Sequence, residues 1–268
     1  MYQYIDQDWV SRRNMLRLLS NIYSSDWCQT TYYLTPSSIN SPEVLYGLKM
    51  RHNWNEEIDK TLHWIEKSDT GTVIFEGETR VILAIPPFPL RKDITTEGPD
   101  ISPFMHLINI SPLIGIVLVR LGAYAIGILH GDDLIASKVG SRFIKNQHRA
   151  GGSSQRRYER NRERMVNEMF QKVCKVLETI FLPYVNSLDY VFLGGEKYTL
   201  HSLINSCSYI KKLTPKTQKR ILSVNRPNKK AIDSIAFEVW KSHIVTITTE
   251  LEKKSATSRL NSTLPLKP

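Results

Sequence analysis

The chain has 268 residues, 41% of them hydrophobic and 23% charged, which is enough apolar material for one large or two smaller globular domains. Its formal net charge of +10 points to a polyanionic partner, either nucleic acid or an acidic membrane surface. Three widely spaced cysteines, Cys28, Cys174 and Cys207, lack any CxxC or Cys/His ligand spacing, so neither a disulfide framework nor a zinc site is indicated and buried thiols in a reducing compartment are expected.

The opening MYQYIDQDWVSRR carries acids and no apolar run, so it does not read as a signal peptide. A helical stretch is predicted around Trp9 to Ile22, then a Ser/Pro-rich loop, then a helix from about Asn55 to Lys67 with Ile58, Leu62 and Ile65 on one face. TVIFEGETRVILAI, residues 72–85, reads as a hairpin around a Glu-Gly-Glu turn, and PPFPL breaks regular structure after it. A domain boundary is expected near residue 110, giving an α+β region over 1–110, a second domain over 111–250 and a flexible tail over 251–268.

Three short strands follow the boundary, Leu113–Arg120, Ala123–His130 and Leu134–Val139, with links short enough for antiparallel hairpins. The apolar run at 112–129 is interrupted by Arg120 and Gly122 and is short for a membrane span, so two buried strands explain it better. A long helix is predicted from about Ser154 to Phe181, with an apolar stripe at Tyr158, Met165, Met169, Val173, Val176 and Ile180 and with Pro183 after it. Leu188–Leu193 is a strand, 196–207 a helix, Arg220–Val224 a strand and Asn228–Ser242 a helix. The order implies an α/β fold with a ribonuclease-H-like mixed sheet: three antiparallel strands, then two reached through helices.

Charge is concentrated between Lys138 and Arg164. That stretch holds nine Lys or Arg (Lys138, Arg142, Lys145, Arg149, Arg156, Arg157, Arg160, Arg162 and Arg164) against Glu159 and Glu163, a local excess of nine minus two, or +7. Five of these arginines fall in the first turns of the long helix, where the macrodipole is already positive, so the arrangement costs stability unless a polyanion occupies it. Just ahead lie Gly151 and Gly152, which permit a close backbone approach, with Gln155 beyond two serines. A glutamine amide is neutral and cannot act as a base, but it can orient a water and donate to developing negative charge. Taken alone, two glycines and a glutamine are a weak motif, read more simply as a flexible loop before a helix.

His148 is read as a phosphate-contacting or solvated side chain, and Lys211–Arg220 as a solvated basic loop. Asp132 and Asp133 are read as turn residues. The first strand of the sheet, LIGIVLVR, carries no acid, so a two-metal nuclease site is rejected and no metal is assigned. Gly194–Gly195 before Glu196 is read as a strand-to-helix turn rather than a phosphate loop.

The stretch Gly115–Met165, and within it RLGAYAIG, SKVGSR and AGGSSQRRYERNRE, resembles the bacterial release-factor-like proteins related to the peptidyl-tRNA release factors of ribosome-associated quality control. Their catalytic domain is similar to the middle domain of the eukaryotic class-one release factor. The GGQ triplet of the stop-codon factors is here GGSSQ, and the quality-control relatives carry a Gly-x-x-Gln version. No counterpart of the stop-codon-reading domain, its NIKS motif, ankyrin repeats or a zinc finger is found. The resemblance implies a metal-independent, cytoplasmic peptidyl-tRNA hydrolase acting on stalled ribosomal large subunits, with no cofactor and no membrane partner. Gly151, Gly152 and Gln155 would form the catalytic tip. Arg156, Arg157, Arg160 and Arg164, together with Lys138, Arg142, Lys145, His148 and Arg149, would hold ribosomal RNA and tRNA phosphates. The alternatives are a tRNA 3′-end endonuclease using the same loop and a non-catalytic ribosome- or RNA-binding factor.

Overall fold

The computed structural model describes residues 2–39, 42–52, 54, 56, 58, 60, 65, 68–144 and 153–249. They form a mixed α/β fold with two sheets, divided into two compact units. The first unit takes residues 1–109 together with 240–268, and the second takes 110–239.

The first unit contains β1 (Tyr2–Val10), α1 (Arg12–Tyr23), β2 (Thr30–Leu34), α2 (Pro36–Ile39), α3 (Pro42–His52), β3 (Thr72–Glu76), β4 (Arg80–Ile85), β5 (Ile94–Glu97) and α4 (Ser102–Asn109). Alternation along its strands sends side chains to both faces. Val73, Phe75, Ile82 and Ala84 meet Met15, Leu19 and Ile22 of α1 and Phe104 and Ile108 of α4. Ile74, Val81 and Leu83 meet Trp54, Ile58 and Ile65 on the other face. Burial on both faces is why β3 and β4 read as continuous apolar runs. Helix 55–67 and its Leu62 fall largely outside the described residues.

The second unit contains β6 (Leu113–Arg120), β7 (Ala123–His130), β8 (Asp133–Ser141), α5 (Ser153–Phe181), β9 (Tyr190–Gly195), α6 (Lys197–Ser206), α7 (Ser208–Lys212), a 3-10 turn at Thr214–Lys216, β10 (Thr217–Leu222), α8 (Lys229–Asp233) and α9 (Ile235–Val239). Its sheet runs in the order β10-β9-β6-β7-β8. β6, β7 and β8 are an antiparallel meander, whereas β9 and β10 are parallel to β6 and to each other. α5, α6 and α7 cover one face through Met169, Phe170, Val173, Leu177, Leu200, Leu203 and Ile210. Gly195 turns the chain from β9 into α6 at φ +121°, and a Cβ there would clash with the Val119 carbonyl oxygen. Glycine is therefore required at this strand-to-helix turn.

Four expectations are corrected. Trp9 lies in β1, not in a helix, because Tyr2–Val10 pairs antiparallel with β11 (Ser242–Thr249), while α1 begins only at Arg12. The helix expected over Asn228–Ser242 is two short helices that stop at Val239. The domain expected over 111–250 loses its last residues, because β11 inserts between β1 and β4 of the first sheet. Cys174 and Cys207, expected as free thiols, are joined in a disulfide that ties α5 to the end of α6, with Cα atoms 5.6 Å apart; Cys28 is free and buried. The run at 112–129 is β6 and β7 joined at Gly122, and no helix among the described residues is long and apolar enough to cross a membrane. The tail over 251–268 lies outside the described residues.

Candidate nucleic-acid interface and catalytic segment

α5 is 29 residues of good helix formers with no glycine or proline inside. Its two halves differ. Met169, Phe170, Val173, Leu177 and Phe181 are buried against the sheet. The expected stripe shares Met169 and Val173 with this face, whereas Val176 and Ile180 are only partly buried against it. From Gln155 to Glu168 no side chain is buried. Val166 is the first of its residues packed against the core, so at 1.5 Å per residue about 16 Å of helix, from Gln155 to Met165, precedes that contact.

Two contacts mark where α5 leaves the sheet. The Gly122 amide, at the β6–β7 turn, donates to Met169 Sδ at 3.3 Å. One residue earlier, Glu168 accepts from Arg142, which follows β8, and pairs with Arg164 Nε at 3.4 Å. The Arg142 amide in turn donates to the Gly122 carbonyl at 2.9 Å. The β6–β7 turn, the end of β8 and the middle of α5 are therefore stitched together at the base of the segment containing the glycine pair. Glu168 was not picked out from the sequence; its position four residues after Arg164 is the signal that could have found it.

Beyond that base, Arg156, Arg157, Arg160 and Arg164 are all exposed. With about 100° of rotation per residue they fall within an arc of roughly 100°, so they present one cationic face. Lys138 lies on β8 and Arg142 just after it, at the other stem of the segment. Phe143, which follows Arg142, is 77% exposed. An exposed ring next to an arginine is a surface on which a nucleotide base can stack while a phosphate is held alongside.

The catalytic candidates divide. Gly151 and Gly152, along with Lys145, His148 and Arg149, lie outside the described residues. Gln155, assigned to the catalytic tip, sits within the first turn of α5, which begins at Ser153, one residue before the expected start. It is half-buried, and its Nε2 donates to Glu159 Oε1 at 3.0 Å. Holding Nε2 in this way leaves the amide oxygen as the group that faces away from Glu159. Gln155 and Glu159 project from a different side of the helix than the arginine face, in line with the stripe that is buried further along. Among the described residues no group of three or more His, Cys, Asp or Glu lies together as a metal site.

The second basic segment serves the fold. Lys216 Nζ donates to the Val185 carbonyl at 3.2 Å, and Arg220 Nη2 donates to the Glu238 carbonyl at 2.6 Å.

Residues 112–245, half of the chain, match the family model described as the Actinobacteria/chloroflexi VLRF1 release factor. Peptide chain release factor subunit 1 of Aeropyrum pernix is 34% identical over 121 residues, which cover 42% of this chain and 32% of that protein. The protein of the same name from Archaeoglobus fulgidus is 24% identical over 152 residues, covering 53% of this chain and 37% of the relative. The chain thus spans about a third of the length of these curated relatives. Among solved structures, the archaeal translation termination factor aRF1 is 18% identical, with a TM-score of 0.36 over 94% of this chain and 76% of that one. The S. cerevisiae translation termination-like factor Dom34 is 8% identical, with a TM-score of 0.30 over 86% of this chain and 64% of that one. The matched region begins just before β6, runs through the whole second unit and ends within β11, and on that match the chain belongs to the Actinobacteria/chloroflexi VLRF1 release-factor family.

Proposed function

We propose that this protein is a cytoplasmic, metal-independent peptidyl-tRNA hydrolase that frees nascent peptide on stalled ribosomal large subunits. The observation that carries the reading is the arginine face of α5, which begins one residue after Gln155 and leads directly from the segment containing Gly151 and Gly152. The ribonuclease-H-like reading of the second sheet belongs to the same proposal and is supported by its strand order.

In this reading Arg156, Arg157, Arg160 and Arg164, with Lys138, Arg142, Lys145, His148 and Arg149, neutralise phosphates of ribosomal RNA and the tRNA acceptor end. Affinity is then largely electrostatic and salt-dependent. Gly151 and Gly152 let the backbone approach the terminal adenosine. The Gln155 amide, turned by Glu159, accepts a hydrogen bond from the attacking water and orients it toward the ester carbonyl. No side chain has to ionise for this chemistry: the ester is already activated, and the rate gain comes from position and from exclusion of bulk water.

The test is incubation of large-subunit-bound peptidyl-tRNA with wild type and with Gln155→Ala, resolving peptide and tRNA 3′ ends separately. Peptide release with an intact CCA end, reduced about 100-fold or more in Gln155→Ala at unchanged ribosome binding, is the expected result. Loss of 3′ nucleotides would show a nuclease instead, and tight binding without product would leave a ribosome-binding factor.

A further inference from the structure

In the second unit α5, α6 and α7 cover one face of the sheet, but β10 is its end strand and is only partly overlaid. Between α6 and β10 this leaves a groove of about 660 Å³. Leu193 of β9, Leu200 and Ile204 of α6 and Ile210 of α7 form its apolar floor. Pairing of Ile221 with Leu193 turns the Ile221 side chain onto the same face, where it is 42% exposed. Across the groove Tyr198 is 83% exposed. An isoleucine and a tyrosine left uncovered beside a continuous apolar floor are the mark of a surface that another chain covers.

Two further features define what would cover it. Gln218 lines the groove, and its Oε1 is buried with no hydrogen-bond partner among the described residues. A buried acceptor left unmade costs free energy, which a donor from a docked chain would recover. The lining also contains Lys197, Lys219 and His201 but no Asp or Glu. The nearby carboxylate of Glu196 accepts from the Thr199 hydroxyl at 2.7 Å.

We propose that this groove docks an acidic, amphipathic segment of a partner protein. Its apolar side chains would lie on the Leu193–Ile221 floor, its carboxylates would face Lys197 and Lys219, and one N–H would satisfy Gln218. RNA phosphates would pair with Lys197 and Lys219 but leave the apolar floor uncovered, and a second copy of the chain would bring the same lysines face to face. The chain's own residues 250–268 carry Lys253, Lys254, Arg259 and Lys267 against Glu250 and Glu252, four minus two, or +2, the wrong sign for this site. The proposal is independent of the peptidyl-tRNA reading, since no residue of the groove belongs to the candidate site.

The experiment uses the full chain with methyl-labelled Ile and Leu and a helical peptide of about sixteen residues, leucines on one face and glutamates on the other. A second peptide, identical except that every glutamate is lysine, is the control. The acidic peptide is expected to bind at least about tenfold more tightly than its lysine twin. The Ile221, Leu200 and Ile204 methyls should shift, Ile221→Asp and Tyr198→Ser should each weaken binding, and Lys197→Glu should narrow the preference. All three variants alter exposed side chains, and circular dichroism confirms their folding. Equal affinity for the two peptides, shifts confined to other methyls, or no shift at about 1 mM peptide would overturn the proposal. So would oligouridylate shifting the same methyls, which marks an RNA surface, or self-association abolished by Ile221→Asp, which marks a dimer face.

Discussion

The two units treat charge in opposite ways. In the first, Glu76 on β3 is buried and fully engaged: Arg51 Nε donates to its Oε1 at 3.0 Å, His52 Nε2 lies 2.6 Å from the same oxygen, and the Tyr32 hydroxyl donates to Oε2 at 2.9 Å. Donors from α3 and β2 thus converge on one carboxylate and hold α3 to the sheet. In the second, four exposed arginines share one face of α5, and Glu168 answers only Arg164 among them while also holding Arg142. A cluster whose charges are matched inside the chain serves stability. One whose charges are left to a partner lowers stability and gains function when the polyanion arrives.

The sharpest way to break this contrast is to remove the carboxylate of the first cluster. Glu76→Ala leaves a half-exposed guanidinium, a nearly buried imidazole and a partly buried phenol without this acceptor, and should lower unfolding stability by about 2–4 kcal/mol in urea denaturation. A variant within about 0.5 kcal/mol of wild type would show that α3 is held by its apolar contacts alone.

Acid should act on the same group. Burial by itself would push the Glu76 carboxyl up, but the hydrogen bonds from His52, Arg51 and Tyr32 and the Arg51 charge outweigh it and bring the value down from 4.5 to about 2. The folded value lies below the unfolded one, so this contribution is fully present above about pH 4.5 and is lost as pH falls toward about 2. It is worth about 3 kcal/mol. Glu76→Gln should flatten the acid limb of the stability profile; an unchanged limb would mean that other carboxylates control it.

Reversal of the arginine face should do two opposite things. Arg156→Glu with Arg160→Glu should weaken ribosome or RNA binding by about tenfold or more and reduce the slope of log affinity against log salt by about two. The same pair places acids near a helix N-terminus and should raise the melting temperature by about 1–3 °C. Loss of both affinity and stability would show that these arginines are part of the fold rather than held for a partner. The smallest effect is expected for Glu168→Gln. Its partners are exposed enough that stability should change by less than about 0.5 kcal/mol in thermal denaturation. A larger loss would make the junction at Glu168 a structural anchor of α5.

Much of the second unit was legible because its signals are local. The meander over 113–141 is three apolar runs separated by two-residue links, and α5 is one uninterrupted periodic stretch. The basic segment was equally visible, since charge density needs no tertiary structure to be counted. For Gln155 the expected helix start near Ser154 already put it on the first turn, but only the folded helix shows its amide held by Glu159. Glu76 gave no sign of its role, because its donors come from segments 24 and 44 residues away.

Sequence by itself determined the local elements and the cationic stretch, since helical periodicity, strand alternation and charge are properties of neighbours along the chain. Tertiary structure alone decided which strands met. β11 reads as any short apolar strand, but it crosses back to lie between β1 and β4 because that gap completes the first sheet and covers Val245 and Ile247. The Cys174–Cys207 bond likewise depends on α5 and α6 packing over one face of the second sheet, which brings together residues 33 apart. The uncovered end of that sheet at β10 has the same origin. Long-range pairings form only where buried area and satisfied hydrogen bonds outweigh the entropy of closing the intervening loops, and that balance is struck across the whole fold rather than in any one segment.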